Sequence, residues 1–312
     1  MNKNLTKIST VGMSHEEWLE YRNKTIGGSD ASAILGMNDF ASPYKVWAEK
    51  LGKLPPTEDN EAMRIGRDLE SYVAQRFTEQ TGKKVRKENN ILYNPEYPFA
   101  HANVDRMIVG EDAGLECKTT SSINLSKFKN GEFPDRYYAQ CVHYMMVTGC
   151  KRWYLAVLVL GKGFYDFTIE RDEEEIKALA KSEADFWKYV ESKTPPAVDG
   201  TESTTKTIST IFPNSNTETV NLFAYEDSLR QYVALGKQIK ELEKLQTEMA
   251  NKVKSFMSEA GNGESDNYKV SWPTASKTTF DHKRFATEHP EVNLTAYYKT
   301  SSYRTFKVTE RN

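Results

Sequence analysis

The stretch Asp105-Arg106-Met107-Ile108-Val109-Gly110-Glu111-Asp112-Ala113-Gly114-Leu115-Glu116-Cys117-Lys118-Thr119 decides how this chain is read. Phe99 to Val109 has the composition of a strand ending at Gly110, turn residues follow at 111–114, and Leu115 to Thr119 reads as a second strand. Side chains alternate along a strand, so Glu116 and Lys118 share one face, Leu115 and Cys117 take the other, and a hairpin brings Asp105 beside them. An acid on one strand with Glu-x-Lys on the next suits hydrolysis at a hard divalent cation: the carboxylates hold the metal and the lysine serves the attacking water. The same residues also describe solvent-facing charges on a half-exposed sheet, and the surrounding chain has to decide between the two.

The 312 residues are enough for one large or two ordinary domains with a substantial core. A formal charge of −2 and a pI near 6.3 announce no polyanion partner, so any nucleic-acid footprint has to be a local basic surface. Cys117, Cys141 and Cys150 have no CxxC spacing, which argues for reduced thiols and against zinc or iron–sulfur sites. The N-terminus lacks a hydrophobic signal core, and the most apolar run, 153–160, is too short to span a bilayer. The expectation is a cytoplasmic protein with no membrane association.

Ala62, Ile65, Leu69, Val73 and Phe77 recur at helical spacing before Gly82, and a second helix is expected from Asp135 to Val147, ahead of Gly149. Strands are expected over 84–92 with a break, 153–160 and 164–170, and another helix over 172–191. This order predicts an α/β fold, a central mixed sheet flanked by helices. The expected organisation is a catalytic domain at 1–198, a Thr- and Ser-rich linker at 199–215, and a C-terminal helix with a β extension at 216–312. In that extension Leu235, Ile239, Leu242, Gln246, Met249, Val253 and Phe256 alternate spacings of four and three, a coiled-coil-like seam expected to pack within the subunit. Short β pieces are expected at 269–272 and 304–308.

Glu70, one turn after the small Gly66, adjoins the apolar stripe of its helix and is able to point toward the sheet or to form a boundary salt bridge with Arg67 or Arg76. Gln140 and Tyr144 lie one turn apart and face one way; an amide and a phenol there can orient a phosphodiester, or simply line a half-exposed helix face. In Ile26-Gly27-Gly28-Ser29-Asp30-Ala31 a glycine turn feeds a helix N-terminus capped by Ser29 or Asp30, able to present N–H groups and a hydroxyl to a phosphate, with Arg22 adding a positive fork. By alternation His101 and Asn103 share the face of Asp105, which gives Asn103 access to a DNA backbone. His143 is read as a structural or surface residue with no role in the chemistry. Lys83, Lys84, Arg86 and Lys87 form the densest basic group, with Lys127, Lys129, Lys151 and Arg152 in smaller ones.

Taken in order, Arg22, the 26–31 segment, Pro43-Tyr44-Lys45-Val46-Trp47, Gly66-Arg67-Asp68-Leu69-Glu70, Asn103-Val104-Asp105, Glu116-Cys117-Lys118 and Gln140-x3-Tyr144 resemble the YqaJ-type viral recombinases, relatives of phage lambda exonuclease. Phe280-Asp281-x-Lys283-Arg284-Phe285, His289-Pro290 and the final 297–308 also resemble the C-terminal region found with this type. The resemblance implies a PD-(D/E)xK nuclease core degrading duplex DNA from its 5′ end in phage recombination and leaving a 3′ single strand. It implies Mg2+, with Mn2+ as a substitute, a homotrimeric ring on double-stranded DNA ends, and a single-strand annealing partner of the RecT or Red-beta type. Matched by position, Glu70, Asp105, Glu116, Lys118 and Gln140 would be the catalytic set, with Asp105, Glu116 and the Cys117 carbonyl at the metal. Arg22 and Ser29 would hold the 5′ phosphate, and Asn103 and Tyr144 would contact DNA; Asn103 stands where the lambda enzyme has serine. A structure-specific or restriction-like endonuclease and a non-catalytic DNA-end-binding protein are the alternatives.

Overall fold

Trp-Tyr-Leu-Ala-Val-Leu-Val at 153–159 is apolar on both faces, as a strand covered from both sides requires, and it lies in the interior strand β7 (Arg152–Val159). On one side β7 pairs in parallel with β6 (Ala113–Thr120), and on the other it pairs antiparallel with β8 (Gly163–Glu170). Beyond β6 come the short antiparallel strands β5 (Arg106–Ile108) and β2 (Val85–Lys87), giving the mixed order β2-β5-β6-β7-β8. The parallel step needs a crossover, and helix α5 (Asp135–Thr148) lies within it. The computed structural model describes residues 4–121, 128 and 130–311, so Lys127 and Lys129 fall outside the described residues.

Helix α4 (Glu61–Thr81) covers one face of the sheet, Val73, Ala74 and Phe77 packing with Ile108, Leu115, Tyr154 and Ala156. Helices α5 and α6 (Glu173–Glu191) cover the other, where Met145, Ile176 and Leu179 share a core with Met107, Trp153, Leu155 and Val157. Fully enclosed side chains such as Phe77 and Leu155 each contribute about 1.5–3 kcal/mol relative to exposure. Left-handed Gly82 and Gly149 end α4 and α5 at the expected places. A further cluster joins α2 (Gly28–Ile34), α3 (Pro43–Lys50) and α6 through Ile26, Trp47, Phe186 and Val190. The chain is thus a mixed α/β fold with a central sheet flanked by helices.

Several expectations are corrected. The segment 99–109 is not one strand: β4 (His101–Asn103) pairs with β3 (Asn90–Tyr93) in a second sheet that also holds β1 (Thr6–Ser9), whereas β5 belongs to the central sheet. The chain changes sheets at Val104-Asp105, which ends the alternation relating His101 and Asn103 to Asp105. The stretch 199–215 is only in part irregular, because α7 (Glu202–Ile211) forms there, capped by Thr201. Thr204 and Thr207 face inward: Thr204 Oγ1 donates to Ser42 Oγ at 2.8 Å, and Ile211 joins the cluster around Ile26.

The described chain divides between Phe212 and Pro213 into two units. The second contains the long helix α8 (Glu226–Met257), the small hairpin β9 (Asn262–Glu264) and β10 (Lys269–Ser271), and the short helix α9 (His282–Glu288). Residues 304–308, expected as a strand, have no regular structure. In α8 the seam residues Leu235, Ile239, Leu242, Met249, Val253 and Phe256 are exposed rather than packed within the subunit. No helix among the described residues is long and apolar enough to cross a membrane.

Candidate active site

The site begins where β5 and β6 part. Their ladder pairs Met107 with Gly114 and Arg106 with Leu115; one step further Asp105 leaves the strand, and its Oδ2 accepts the Cys117 N–H at 2.8 Å. A carboxylate thus replaces a backbone partner at the fork. Opposed residues of an antiparallel pair share a face, so Asp105 falls on the face of Glu116 and Lys118, under α5. N–H and C=O of one strand residue point to the same side, which aims the Cys117 carbonyl into the same fork.

Glu116 is buried, and its Oε1 is shared by Lys118 Nζ at 2.5 Å and Gln140 Nε2 at 2.8 Å. Gln140 Oε1 accepts from Lys118 Nζ at 2.9 Å, and Gln140 Nε2 also donates to the Tyr144 hydroxyl, which donates to the Asn103 carbonyl at 3.0 Å. Gln140 and Tyr144 are therefore buried and hydrogen-bonded to Glu116, Lys118 and the Asn103 carbonyl. They hold Glu116 and Lys118 in place, while Asn103 contributes its backbone oxygen. Glu116 Oε2 has no hydrogen-bond partner among the described residues.

Glu70 points to the sheet, but its partner is Arg106 rather than Arg67 or Arg76, which pair with Asp59 and Glu79. Arg106, buried on the α4 side, also donates to the Asp105 carbonyl at 2.8 Å and to Ser71 Oγ at 3.2 Å. Burial together with the charges of Glu116 and Glu70 raises the Asp105 pKa well above the ordinary carboxylate range. Burial would lower the Lys118 pKa, yet Glu116 and Asp105 outweigh it and the lysine is held strongly cationic.

These are the properties of a site suited to a cation. Asp105 and Glu116 share one fork, Glu70 lies on the α4 side paired with Arg106, and one buried Glu116 oxygen is without a partner among the described residues. Among the described residues no group of three or more His, Cys, Asp and Glu side chains is arranged to hold a metal ion. A metal here would rest on Asp105, Glu116, the Cys117 carbonyl, water and substrate oxygens, which is the ordinary way Mg2+ is held.

Arg22 and Ser29 are brought together, Arg22 Nη2 donating to Ser29 Oγ at 2.9 Å. The N-cap is Gly27, not Ser29 or Asp30; Asp30 sits at the third helical position and reaches back to accept the Gly27 N–H at 3.0 Å. Lys50, on α3, donates to the buried Asp30 at 2.6 Å and to the Arg22 carbonyl at 2.8 Å. Burial would raise the Asp30 pKa, but Lys50 and Arg22 reverse this and hold it far below the usual range. Two cations against one carboxylate leave a net positive corner with Arg22 partly open to solvent.

This corner and the carboxylate fork are tied together by Gly28. A Cβ there would lie 2.5 Å from the Tyr144 ring and 3.2 Å from Gln140 Cγ, so α2 approaches α5 as closely as it does only with glycine. Gly28→Ala is expected to cost about 1–3 kcal/mol in urea unfolding through overpacking. An unchanged midpoint would show that α2 and α5 are further apart.

Beside these groups, His101 is buried with Nδ1 2.8 Å from Thr25 Oγ1, and burial, with Lys50 nearby, lowers its pKa to about 3. The unfolded chain protonates this histidine below about 6.5, whereas the folded one stays neutral. Stability is therefore lost as pH falls from 6.5, about 2 kcal/mol between pH 6.5 and 5, and His101→Asn is expected to flatten urea-unfolding stability over that window. A slope identical to that of the parent protein would contradict it.

Arg106, Lys50 and the His143–Glu183 pair, 2.7 Å apart and fully buried, escaped the sequence reading. None carries a local signal except Arg106, which alternation from Asp105 directs to the opposite face. Of the basic groups, Lys83 pairs with Glu111, Arg86 with Glu88 and Arg152 with Glu170.

Comparison with known proteins places this geometry in context. The chain is similar to an alkaline exonuclease from Laribacter hongkongensis, with 20% identity and a TM-score of 0.48 over 57% of this chain and 94% of that one. It is also similar to a phage related exonuclease from Haemophilus somnus 129PT, with 14% identity and a TM-score of 0.42 over 56% and 99% of the two chains. The uncharacterized protein YqaJ of Bacillus subtilis (strain 168) is 39% identical over 304 residues, 96% of this chain and 95% of that protein. Residues 17–151, which carry Arg22, the carboxylate fork and Gln140, match the YqaJ-like viral recombinase domain, and the chain belongs to the YqaJ family.

Proposed function

We propose that this protein is a Mg2+-dependent deoxyribonuclease that digests linear duplex DNA from its 5′ ends during phage recombination and leaves 3′ single strands. The observation that carries the reading is the fork itself: Asp105 and Glu116 on one face, a buried Glu116 oxygen without a partner among the described residues, and Lys118 held against Glu116 and kept cationic by both carboxylates. Mg2+ held by Asp105, Glu116 and the Cys117 carbonyl would supply positive charge to the phosphoryl oxygens and make water more acidic.

The protein's own groups do the rest. Lys118, cationic among the carboxylates, orients the attacking water and stabilises charge growing on the phosphoryl oxygens. Gln140, saturated by Glu116, Lys118 and Tyr144, keeps that lysine aimed at the fork. Arg22 and Ser29 bind the terminal 5′ phosphate in the positive corner, and Gly28 sets their separation from the fork. Glu70, paired with Arg106, flanks the fork from the α4 side.

The test is digestion of end-labelled linear duplex, with and without a 5′ phosphate, in Mg2+, in Mn2+ and in EDTA. Release of nucleotides from 5′-phosphorylated ends only with metal is expected. Absence of digestion in either metal would overturn nuclease function, and cutting of closed circular DNA would replace the exonuclease by an endonuclease. A homotrimeric ring belongs to the same proposal, and light scattering should give three times the chain mass.

A further inference from the structure

The last 36 residues have a composition unlike the rest of the chain. Between positions 277 and 308 there are six lysines and arginines against three acids, whereas the whole chain has 42 against 44. Aromatic residues alternate with these cations: Tyr298-Lys299, Tyr303-Arg304 and Phe306-Lys307 each set a ring next to a positive charge. Regular structure is confined to α9 and one 3-10 turn at Leu294–Tyr297, so these rings build no sheet or helix face.

Nor do they build a core. Phe280, Tyr297, Tyr298, Tyr303 and Phe306 are each at least 58% exposed, and Lys277, Lys283, Lys299 and Lys307 are exposed as well. Some of the rings are nonetheless arranged. His282 stacks on Tyr298 with centroids 6.2 Å apart and planes 28° apart, Phe280 lies 5.1 Å from Phe285, and Phe306 is set edge-on against Tyr232 of α8 at 5.4 Å. The segment is therefore anchored on α8 while its ring faces and ammonium groups remain in solvent.

A purely apolar exposed patch would fit a protein partner, but interleaved cations would be costly to bury in one. Open π faces alternating with positive charges fit an anionic chain whose bases are unstacked and free to lie on the rings. Duplex DNA meets only half of that description, because its bases are already stacked on one another. We infer that residues 277–308, none of which belongs to the proposed catalytic set, form a binding site for single-stranded DNA. The inference does not depend on the nuclease reading.

The test is fluorescence anisotropy of fluorescein-labelled dT20 with the full chain in EDTA, so that binding is measured without turnover. Wild-type protein is expected to bind with an affinity that falls steeply with salt. The variant Tyr297→Ala/Tyr303→Ala, altered only at exposed rings, should keep its circular dichroism and lose about tenfold or more in dT20 affinity. Its affinity for a blunt 20-base-pair duplex and its digestion of short duplexes should be unchanged. Unchanged dT20 affinity would overturn the inference and leave the rings to a protein contact. Equal losses on dT20 and duplex would overturn it as well, since the rings would then not distinguish unstacked bases from a duplex.

Discussion

Replacing Lys118 with alanine is expected to cut the rate of duplex digestion by a factor of about 10²–10⁴ while the protein remains folded. The lysine lies 2.5 Å from Glu116 Oε1 and 2.9 Å from Gln140 Oε1, with its ammonium over the Tyr137 ring at 5.5 Å from the centroid. Arg106 offers no cation on that side, because it is turned toward α4 and held by Glu70. Lys118→Arg should rescue little, since a planar guanidinium cannot occupy the same point between carboxylate and amide. Lys118→Ala also loses the charge that offsets Asp105 and Glu116, so its melting temperature in EDTA should fall below that of wild type. Mg2+ should then raise it by more than it raises wild type, through binding to the folded state alone. Turnover within twofold of wild type would remove Lys118 from the mechanism.

Much of this fork was legible because β-strand alternation is a local property. Leu115-Glu116-Cys117-Lys118 places its charges on one face whatever the rest of the chain does, and the glycines at 82 and 149 mark helix ends by backbone conformation alone. The break at Val104-Asp105 was not legible. Apolar residues resume at 107–109 after Asp105-Arg106, and nothing in that pattern shows that a side chain will replace the ladder partner of Cys117. Partners distant in sequence were hidden for the same reason: Arg106 finds Glu70 36 positions away. The helix at 202–211 was masked by composition. Threonine is a weak helix former, but Thr205, Thr207 and Thr210 return their hydroxyls to carbonyls four residues back, and Thr204 turns its own to Ser42. The roles of Gln140 and Tyr144 required counting their hydrogen bonds, which only the folded geometry permits.

His143→Ala is expected to destabilise the protein by about 3–5 kcal/mol, because it leaves the Glu183 carboxyl buried without its partner. The pair is fully enclosed, with Nδ1 of His143 2.7 Å from Glu183 Oε1, and Nε2–H donates to the His101 carbonyl at 2.8 Å. Glu183 Oε2 has no further partner among the described residues, so nothing else compensates the carboxyl once the imidazole is gone. Burial would lower the His143 pKa, but Glu183 and the His101 carbonyl outweigh it and raise it above the ordinary value, the reverse of the effect on His101. A raised histidine pKa contributes stability that is fully present below about 6.5 and is lost as pH rises through the folded value. Glu183→Gln separates charge from hydrogen bonding: the amide can still donate to Nδ1, so the cost should be only about 1 kcal/mol, and this pH dependence should disappear. Urea unfolding at pH 6 and pH 8 reads both quantities. Because His143 is three residues from Gln140 on α5, Mg2+-dependent digestion by His143→Ala should fail at a lower temperature than wild type, in step with unfolding. A loss of activity at temperatures where the variant is fully folded would instead mean that the pair also sets the position of Gln140 at the fork.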